Sequence, residues 1–453
     1  MRSLVMTIAP FITLPDTDRF WLVNARIPLT FLDATVLHRD LIAALAASPW
    51  LENLVAADIA IDAGKIAAIA PLGTAAAAQP TVDLAQGLVF PCFVDLHTHL
   101  DKGQTWQRQA NLDGTFHGAL KAVMADAAHW TADDLYRRMS FGLKCAYAHG
   151  TQAMRTHCDA FDDMAKTVFA VATQLRQDWH TRITLQTACL VSLDYYLTPA
   201  GEALADLVAD AGGILGGVAY ASEDLDTQLD RLFTLAAERN LAIDLHVDES
   251  LNPADQGLRH IAQTKLRHDF TAPVVCGHCC SLSVQSAADV AKTLALVKAA
   301  AIGVVSLPMC NLFLQGRQPH RTPRYRGVTL LHELQAQGIP VAISSDNCRD
   351  PFYAYGDHDG LEVLTQSARI AHLDRPIGDW PRAITQTPAE LMGLTDVGRL
   401  GLGLSADLVL FKARSFNELF ARPQSDRAVL RQGRAIDTTL PDYAELDDLL
   451  GWG

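Results

Sequence analysis

Two histidines one residue apart close an apolar run, in Phe93-Val94-Asp95-Leu96-His97-Thr98-His99-Leu100-Asp101-Lys102. On a β-strand alternate side chains share a face, so His97 and His99 point the same way and can grip one metal ion. Two imidazoles do not close a site, and further ligands must come from elsewhere in the chain. His246, His278 and Asp346 each end another apolar run. Three histidines and a carboxylate, His97, His99, His246 and Asp346, are a ligand set that Zn²⁺ or Fe²⁺ accepts. Glu249 follows His246 by three residues, where strand gives way to loop, and is suited to proton transfer. His278 is suited to hold an attacking water or a developing tetrahedral centre by a hydrogen bond.

The elements that must bring these residues together follow from the hydrophobic pattern. From residue 88 onward, apolar runs at 89–97, 151–156, 183–191, 214–220, 242–246, 273–278, 302–307 and 341–345 alternate with helical stretches. That alternation predicts α/β architecture, a (β/α)8 TIM-like barrel over 91–395, whose chemistry sits at the carboxyl ends of its strands. One helix is readable in detail: Thr131 as N-cap, Asp133 and Asp134 in the first turn, Leu135, Met139 and Leu143 on one face, and Gly150 just past the end. Short strands before residue 90 and after 400 predict a small β-sandwich domain built from both chain ends, 1–90 plus 396–453. A helical insertion at 30–50 is expected to pack on that domain or to form an oligomer contact.

Composition narrows the partners. The 453 residues carry 51 acidic against 37 basic side chains, a net charge of −14, and show no clustered basic surface for nucleic acid. Nor is there an apolar run long enough to span a membrane, or a convincing leader in the first fifteen residues, so a cytoplasmic protein acting on a small molecule is expected. Nine scattered cysteines fit reduced thiols. Cys276-Gly277-His278-Cys279 has the spacing of a redox motif, but it ends an apolar strand and His278 has the stronger claim on it. No lysine ends the third or fourth strand to bridge a metal pair, so one divalent ion is expected.

The ordered set also includes Arg155-Thr156-His157-Cys158-Asp159, Leu314-Gln315-Gly316-Arg317, Asp346-Asn347-Cys348-Arg349-Asp350-Pro351-Phe352 and the tail Ser405-Ala406-Asp407-Leu408-Val409-Leu410-Phe411. Together these motifs resemble the amidohydrolase superfamily, and within it the cytosine deaminase branch, over essentially the whole chain. The resemblance implies hydrolytic removal of an exocyclic amine from a nitrogen heterocycle, such as cytosine or a related aminopyrimidine, purine or triazine. It implies Asp346 as the base toward water and Glu249 as the acid toward a ring nitrogen.

The resemblance also places Ser192 where the branch carries a glutamine that reads the pyrimidine edge, and it puts Asn347 and Phe352 in place of an aspartate and a tryptophan. A shorter reader and altered walls suit a bulkier or differently substituted ring. His157 falls at the pocket floor by resemblance, or is a satisfied core histidine. Lys102 and Gln315 either touch substrate or brace their loops. Removal of an alkylamine from a triazine, opening of a cyclic amide and a catalytically silent scaffold are the rival readings. Zinc against iron, and the oligomeric state, stay open.

Overall fold

The computed structural model describes residues 11–33, 52–75, 78–325, 327–424 and 426–451. The chain divides into two units, Met1–Cys92 with Asp374–Gln386 and Asp396–Thr439, and Phe93–Leu373 with Thr387–Thr395 and Leu440–Gly453. The helical pattern expected at 30–50 lies, from residue 34 on, outside the described residues; residues 29–31 form a single 3₁₀ turn.

The first unit is β-rich. Strands β1 (Arg19–Pro28), β2 (Leu54–Asp62), β3 (Lys65–Ala70) and β4 (Thr81–Asp83) form one sheet in the order β3-β2-β1-β4. The β2–β3 hairpin turns through Ala63 and Gly64, both at positive φ (48° and 78°), the geometry that lets two residues reverse a twisted pair. A second sheet pairs β5 (Val89–Pro91) with Leu408–Leu410, which in turn pairs with Ala428–Arg431 and then Arg434–Ala435. Phe90 fills the core of this unit, edge-on to Phe31 at 4.7 Å and to Phe411 at 5.3 Å.

The run expected as one strand over 89–97 is therefore two. Its first half pairs antiparallel with the tail, and β6 (Phe93–Thr98) begins the parallel sheet. A strand buried on both faces carries no alternation, so nothing in the side chains marks the change of partner at Cys92.

The second unit alternates strand and helix. After β6 come α1 (Phe116–Asp126), α2 (Ala132–His149), β7 (Thr151–Asp159), α3 (Asp162–Trp179), β8 (Thr184–Leu190), α4 (Pro199–Asp210) and β9 (Leu215–Ala219). Then follow α5 (Leu225–Glu238), β10 (Ile243–Val247), α6 (Gly257–Arg267), β11 (Val274–His278), α7 (Ala287–Ala299), β12 (Gly303–Ser306), α8 (Pro308–Leu314), α9 (Leu331–Ala336), β13 (Val341–Ile343) and α10 (Gly360–Ala371). Strands β6-β7-β8 and β9-β10-β11-β12-β13 are parallel ladders. Parallel bridges Ala188↔Ile214 and Ser192↔Val218 join the two, and Thr98↔Asp346 joins the last strand's extension to the first. Eight parallel strands in chain order, with the eighth returning to the first, make a (β/α)8 barrel.

Helix α2 shows how its sequence sets its limits. Thr131 accepts from the Asp134 N–H at 3.2 Å, and Gly150 ends the helix at φ 100°. Its apolar stripe of Leu135, Met139 and Leu143 is buried against Met154 of β7 and Leu175 of α3. The segment from Leu440 packs in this unit too, with Tyr443 stacked on Phe141 at 5.6 Å and Asp448 paired to Arg137 at 2.7 Å. None of the described helices is long and apolar enough to cross a membrane.

Candidate metal centre and active site

At the carboxyl ends of β6, β10 and β13 the side chains of His97, His99, His246 and Asp346 converge, all buried. The His246 Nε2 lies 3.1 Å from the Nε2 atoms of both His97 and His99. Asp346 Oδ1 lies 3.2 Å from His99 Nε2 and 3.7 Å from His97 Nε2. Burial, with the neighbouring histidines adding to it, holds His97 and His246 well below the ordinary 6.5, so the rings are neutral. His99 Nδ1 lies 3.2 Å from the His157 carbonyl, an acceptor, and 3.3 Å from the Lys102 ammonium, a donor, while its Nε2 faces the cluster.

His246 Nε2 has one hydrogen at most to share with His97 Nε2 and His99 Nε2, so hydrogen bonding does not fully satisfy the three nitrogens. They do match the spacing of ligands about 2.0–2.1 Å from a single tetrahedral ion. Both Asp346 oxygens are buried without a partner, a state that a cation would relieve. The donor set thus fits one divalent metal ion. His97, His99 and Asp346 form one group of mutually close donors and His97, His246 and His278 another.

Two residues of the cluster are among the nineteen described non-glycine residues at positive φ. His278 and Asp346 both adopt left-handed conformations, at φ 68° and 65°. Such strain of about 1–3 kcal/mol persists where the surroundings hold a side chain to a task. Gly277 has a related role: a Cβ there would stand 2.8 Å from Cε1 of His97, so only glycine leaves room for that ring. This answers the Cys-x-x-Cys spacing. Cys276 and Cys279 are buried, which pushes both thiols well above their ordinary 9 and disfavours the reactive thiolate, and they flank a glycine that makes room for His97.

Glu249 and its neighbour Asp248 separate cleanly. Asp248 accepts from the Gly257 and Leu258 N–H groups at 2.8 and 3.0 Å and so caps α6. Glu249 instead turns toward His278, with Oε1 3.4 Å from Nδ1. Burial, reinforced by the Asp346 charge, pushes its carboxyl well above the ordinary 4.5, which favours the protonated form. Burial likewise takes His278 down to about 3, leaving a neutral ring.

The remaining expected residues fall around this centre in different capacities. His157 lies beneath it, its ring 4.1 Å from that of His97 and its Nε2 3.7 Å from Asp244. Asp244 is itself tied to Arg155 at 2.5 Å. Lys102 donates to Asp159 at 2.9 Å; burial opposes its charge, but Asp101 and Asp159 outweigh that and keep it protonated. Gln315 donates to the Glu249 carbonyl at 3.1 Å. Asn347 donates to Asp350 at 2.8 Å. Phe352 is half-buried, edge-on to Phe116 at 5.7 Å. Ser192 is half-buried where the chain leaves β8.

Asn311 was not foreseen. It is buried on α8, with Nδ2 3.0 Å from His278 Nδ1 and 3.2 Å from Glu249 Oε1. A signal existed: Asn311 is the one strongly polar residue in Pro308-Met309-Cys310-Asn311-Leu312-Phe313-Leu314, directly after a barrel strand. Asparagine is a poor residue for an apolar helix unless its amide is needed.

A sequence profile of the amidohydrolase family matches residues 137–438. The chain belongs to the amidohydrolase family. This amidohydrolase is 48% identical over 444 residues, 97% of its own length and 99% of the relative's, to a pterin deaminase of Rhizobium rhizogenes (strain K84). It is 25% identical over 370 residues to an N-isopropylammelide isopropyl amidohydrolase of Pseudomonas sp. (strain ADP), covering 78% and 87% of the two chains. Among solved structures, 5-methylcytosine deaminase from Klebsiella pneumoniae with 5-fluorocytosine superposes with a TM-score of 0.77 at 25% identity, over 92% of the amidohydrolase and 97% of the other chain.

Proposed function

We propose that this amidohydrolase deaminates a pterin-type ring, a 2-amino-4-oxopteridine, to the dioxo product with release of ammonia. The observation that carries the substrate is 48% identity, end to end, with a pterin deaminase. The aminopyrimidine half of a pterin has its amine-bearing carbon between two ring nitrogens, as in isocytosine and guanine, and shares with cytosine a ring nitrogen beside that carbon for an acid to protonate. The second ring suits a site whose reader is the short Ser192 and whose wall is Phe352 rather than tryptophan.

His97, His99, His246 and Asp346 would hold one divalent ion, zinc or iron. Such an ion supplies Lewis acidity that brings a water molecule's pKa down toward about 7. The protein's own residues do the rest. Asp346 takes a proton from the attacking water as its oxygen bonds to the amine-bearing carbon. Glu249, protonated beforehand, gives its proton to the adjacent ring nitrogen, so the ring carries no net negative charge as the carbon becomes tetrahedral. His278 donates to the oxygen developing there, a contribution on the order of 3 kcal/mol. The proton held by Asp346 passes to the exocyclic amine, the carbon–nitrogen bond breaks as the remaining hydroxyl proton returns to Glu249 and leaves a ring carbonyl, and ammonia departs.

Ser192, His157, Gln315, Asn347, Phe352 and Lys102 form the surround in this reading. The Cys310 thiol that flanks Asp346 lies 3.7 Å from Asn347 Oδ1 and 3.8 Å from the Phe352 carbonyl, which ties both residues to the base. All nine cysteines are free thiols, which suits a reducing cytoplasm.

The test is ammonia release by zinc- or iron-loaded protein from pterin, isocytosine, cytosine, guanine and N-isopropylammelide. The expected order puts pterin first in kcat/KM. Preference for the N-alkyl triazine, with an alkylamine as product, would overturn the substrate assignment.

A further inference from the structure

Glu249 is gripped at two points by one face of α8. Asn311 donates to its carboxyl and Gln315, one turn later, to its backbone carbonyl. The same Asn311 amide reaches His278. Both atoms that Nδ2 addresses, Glu249 Oε1 and His278 Nδ1, lie on the acid and on the hydrogen-bonding histidine of the proposed reaction.

An amide nitrogen can only donate. A ring nitrogen that accepts from it must be bare, and a neutral imidazole then carries its single hydrogen on the other nitrogen. That other nitrogen, Nε2 of His278, is buried without a partner and belongs to a group of donors with His97 and His246. A protonated Nε2 cannot ligate a metal.

We propose that Asn311 is the positioning residue that fixes His278 as its Nε2–H tautomer. His278 is thereby kept out of the metal's ligand set and presented to the reaction as a hydrogen-bond donor, while the same amide orients the Glu249 acid. The proposal explains why His278 stands among His97, His99 and His246 although a tetrahedral site with Asp346 needs only three histidines. It also explains a polar residue at the middle of an apolar helix. Had the amide the opposite orientation, its oxygen would accept from Nδ1–H, Nε2 would be bare, and His278 would join the ligands.

The kinetic arm rests on the deaminase reading; the tautomer is read without substrate. In full-length, zinc-loaded enzyme labelled with ¹⁵N-histidine, long-range proton–nitrogen correlation shows which nitrogen of each ring is protonated. The His278 signals are those lost in His278→Gln. The expected spectrum has the proton on Nε2 and a bare Nδ1, reversed in Asn311→Asp, whose carboxylate can only accept.

On pterin, Asn311→Asp and Asn311→Ala should lower kcat by about 10- to 100-fold with KM within about threefold and the zinc retained. A purely structural asparagine predicts instead that the isosteric aspartate stays near wild type while the alanine is impaired. A wild-type spectrum with the proton on Nδ1, or an Asn311→Asp enzyme at full kcat, overturns the proposal. Wild-type silence on pterin would sink the substrate assignment alone, because the imidazole spectrum still decides the tautomer.

Discussion

The barrel unit buries two polar clusters close in sequence to β6, and they differ in one respect. Around Arg108, every charge is answered. Its guanidinium donates to Asp126 at 2.6 and 2.9 Å and to Asp134 at 2.7 Å. Arg138 donates to Asp134 at 2.6 and 2.9 Å and to the Asp101 and Gly103 carbonyls, and Trp130 completes Asp126 at 2.8 Å. Around His97, partners are missing: both Asp346 oxygens, His278 Nε2, and the Nδ1 atoms of His97 and His246 stand buried and unbonded. Leaving a buried polar atom unpaired costs about 1–3 kcal/mol, so the second cluster is a stability burden that only a ligand relieves. A saturated buried network holds a fold together, and an unsaturated one holds a place for something else.

The sharpest way to break this contrast is Asp346→Asn. If the carboxylate exists for a cation and a proton, kcat should fall on the order of ten-thousandfold. Bound metal, measured by elemental analysis, should fall with it. The melting temperature of metal-free protein should hardly move, because the change swaps one unpartnered carboxylate oxygen for an amide nitrogen of the same shape. A large loss of metal-free stability would show that the cluster is structural after all.

Glu249→Gln comes next. Its expected loss is about 10²–10⁴ in kcat with the metal retained, since the glutamine keeps the shape but has no proton to give. Equal loss of metal content would place Glu249 among the ligands instead.

How far these clusters were legible in the sequence differs with how local their signals are. His97 and His99 declare themselves by alternation within one strand, and Thr131 and Gly150 bound α2 by their own conformational preferences. His246, His278 and Asp346 needed a further step, the barrel that brings strand ends together. Asp248 and Glu249 look interchangeable in sequence, because which carboxylate caps α6 depends on where Gly257 sits nine residues on. Asn311 and the Arg108 network were missed because each depends on contacts beyond one element, 62 residues apart between Asn311 and Glu249 and 18 between Arg108 and Asp126. The change of sheet at Cys92 left no trace either, since both halves of that run are buried.

Arg108→Ala probes the other side of the contrast. Breaking a buried ion network from one partner should destabilise by about 3–5 kcal/mol, toward the low end here because Arg138 and Trp130 remain. The kcat of the molecules that stay folded should not change. Burial pushes the Asp134 carboxyl up, but Arg108 and Arg138 outweigh it and hold it below its ordinary 3.8. A carboxyl lowered on folding stabilises fully above its unfolded value and loses that stabilisation as pH falls through the folded one. Melting temperatures from pH 7 to 3 should therefore fall below about pH 4 in the wild type, and less steeply in Arg108→Ala. Parallel curves would mean that the network contributes nothing through Asp134.

Thr131→Ala is the smallest of these tests and bears on whether the saturated cluster acts alone. Thr131 caps α2 by accepting from the Asp134 N–H, so one residue joins the helix cap to the ion network. Loss of the cap should cost about 1 kcal/mol, and Thr131→Ser should restore most of it. If backbone cap and side-chain network are independent, the Thr131→Ala and Arg108→Ala penalties should add within about 0.5 kcal/mol in chemical denaturation. A double variant clearly less damaged than that sum would mean that the cap works mainly by holding Asp134 where the arginines can reach it, and the network would then extend to the end of α2.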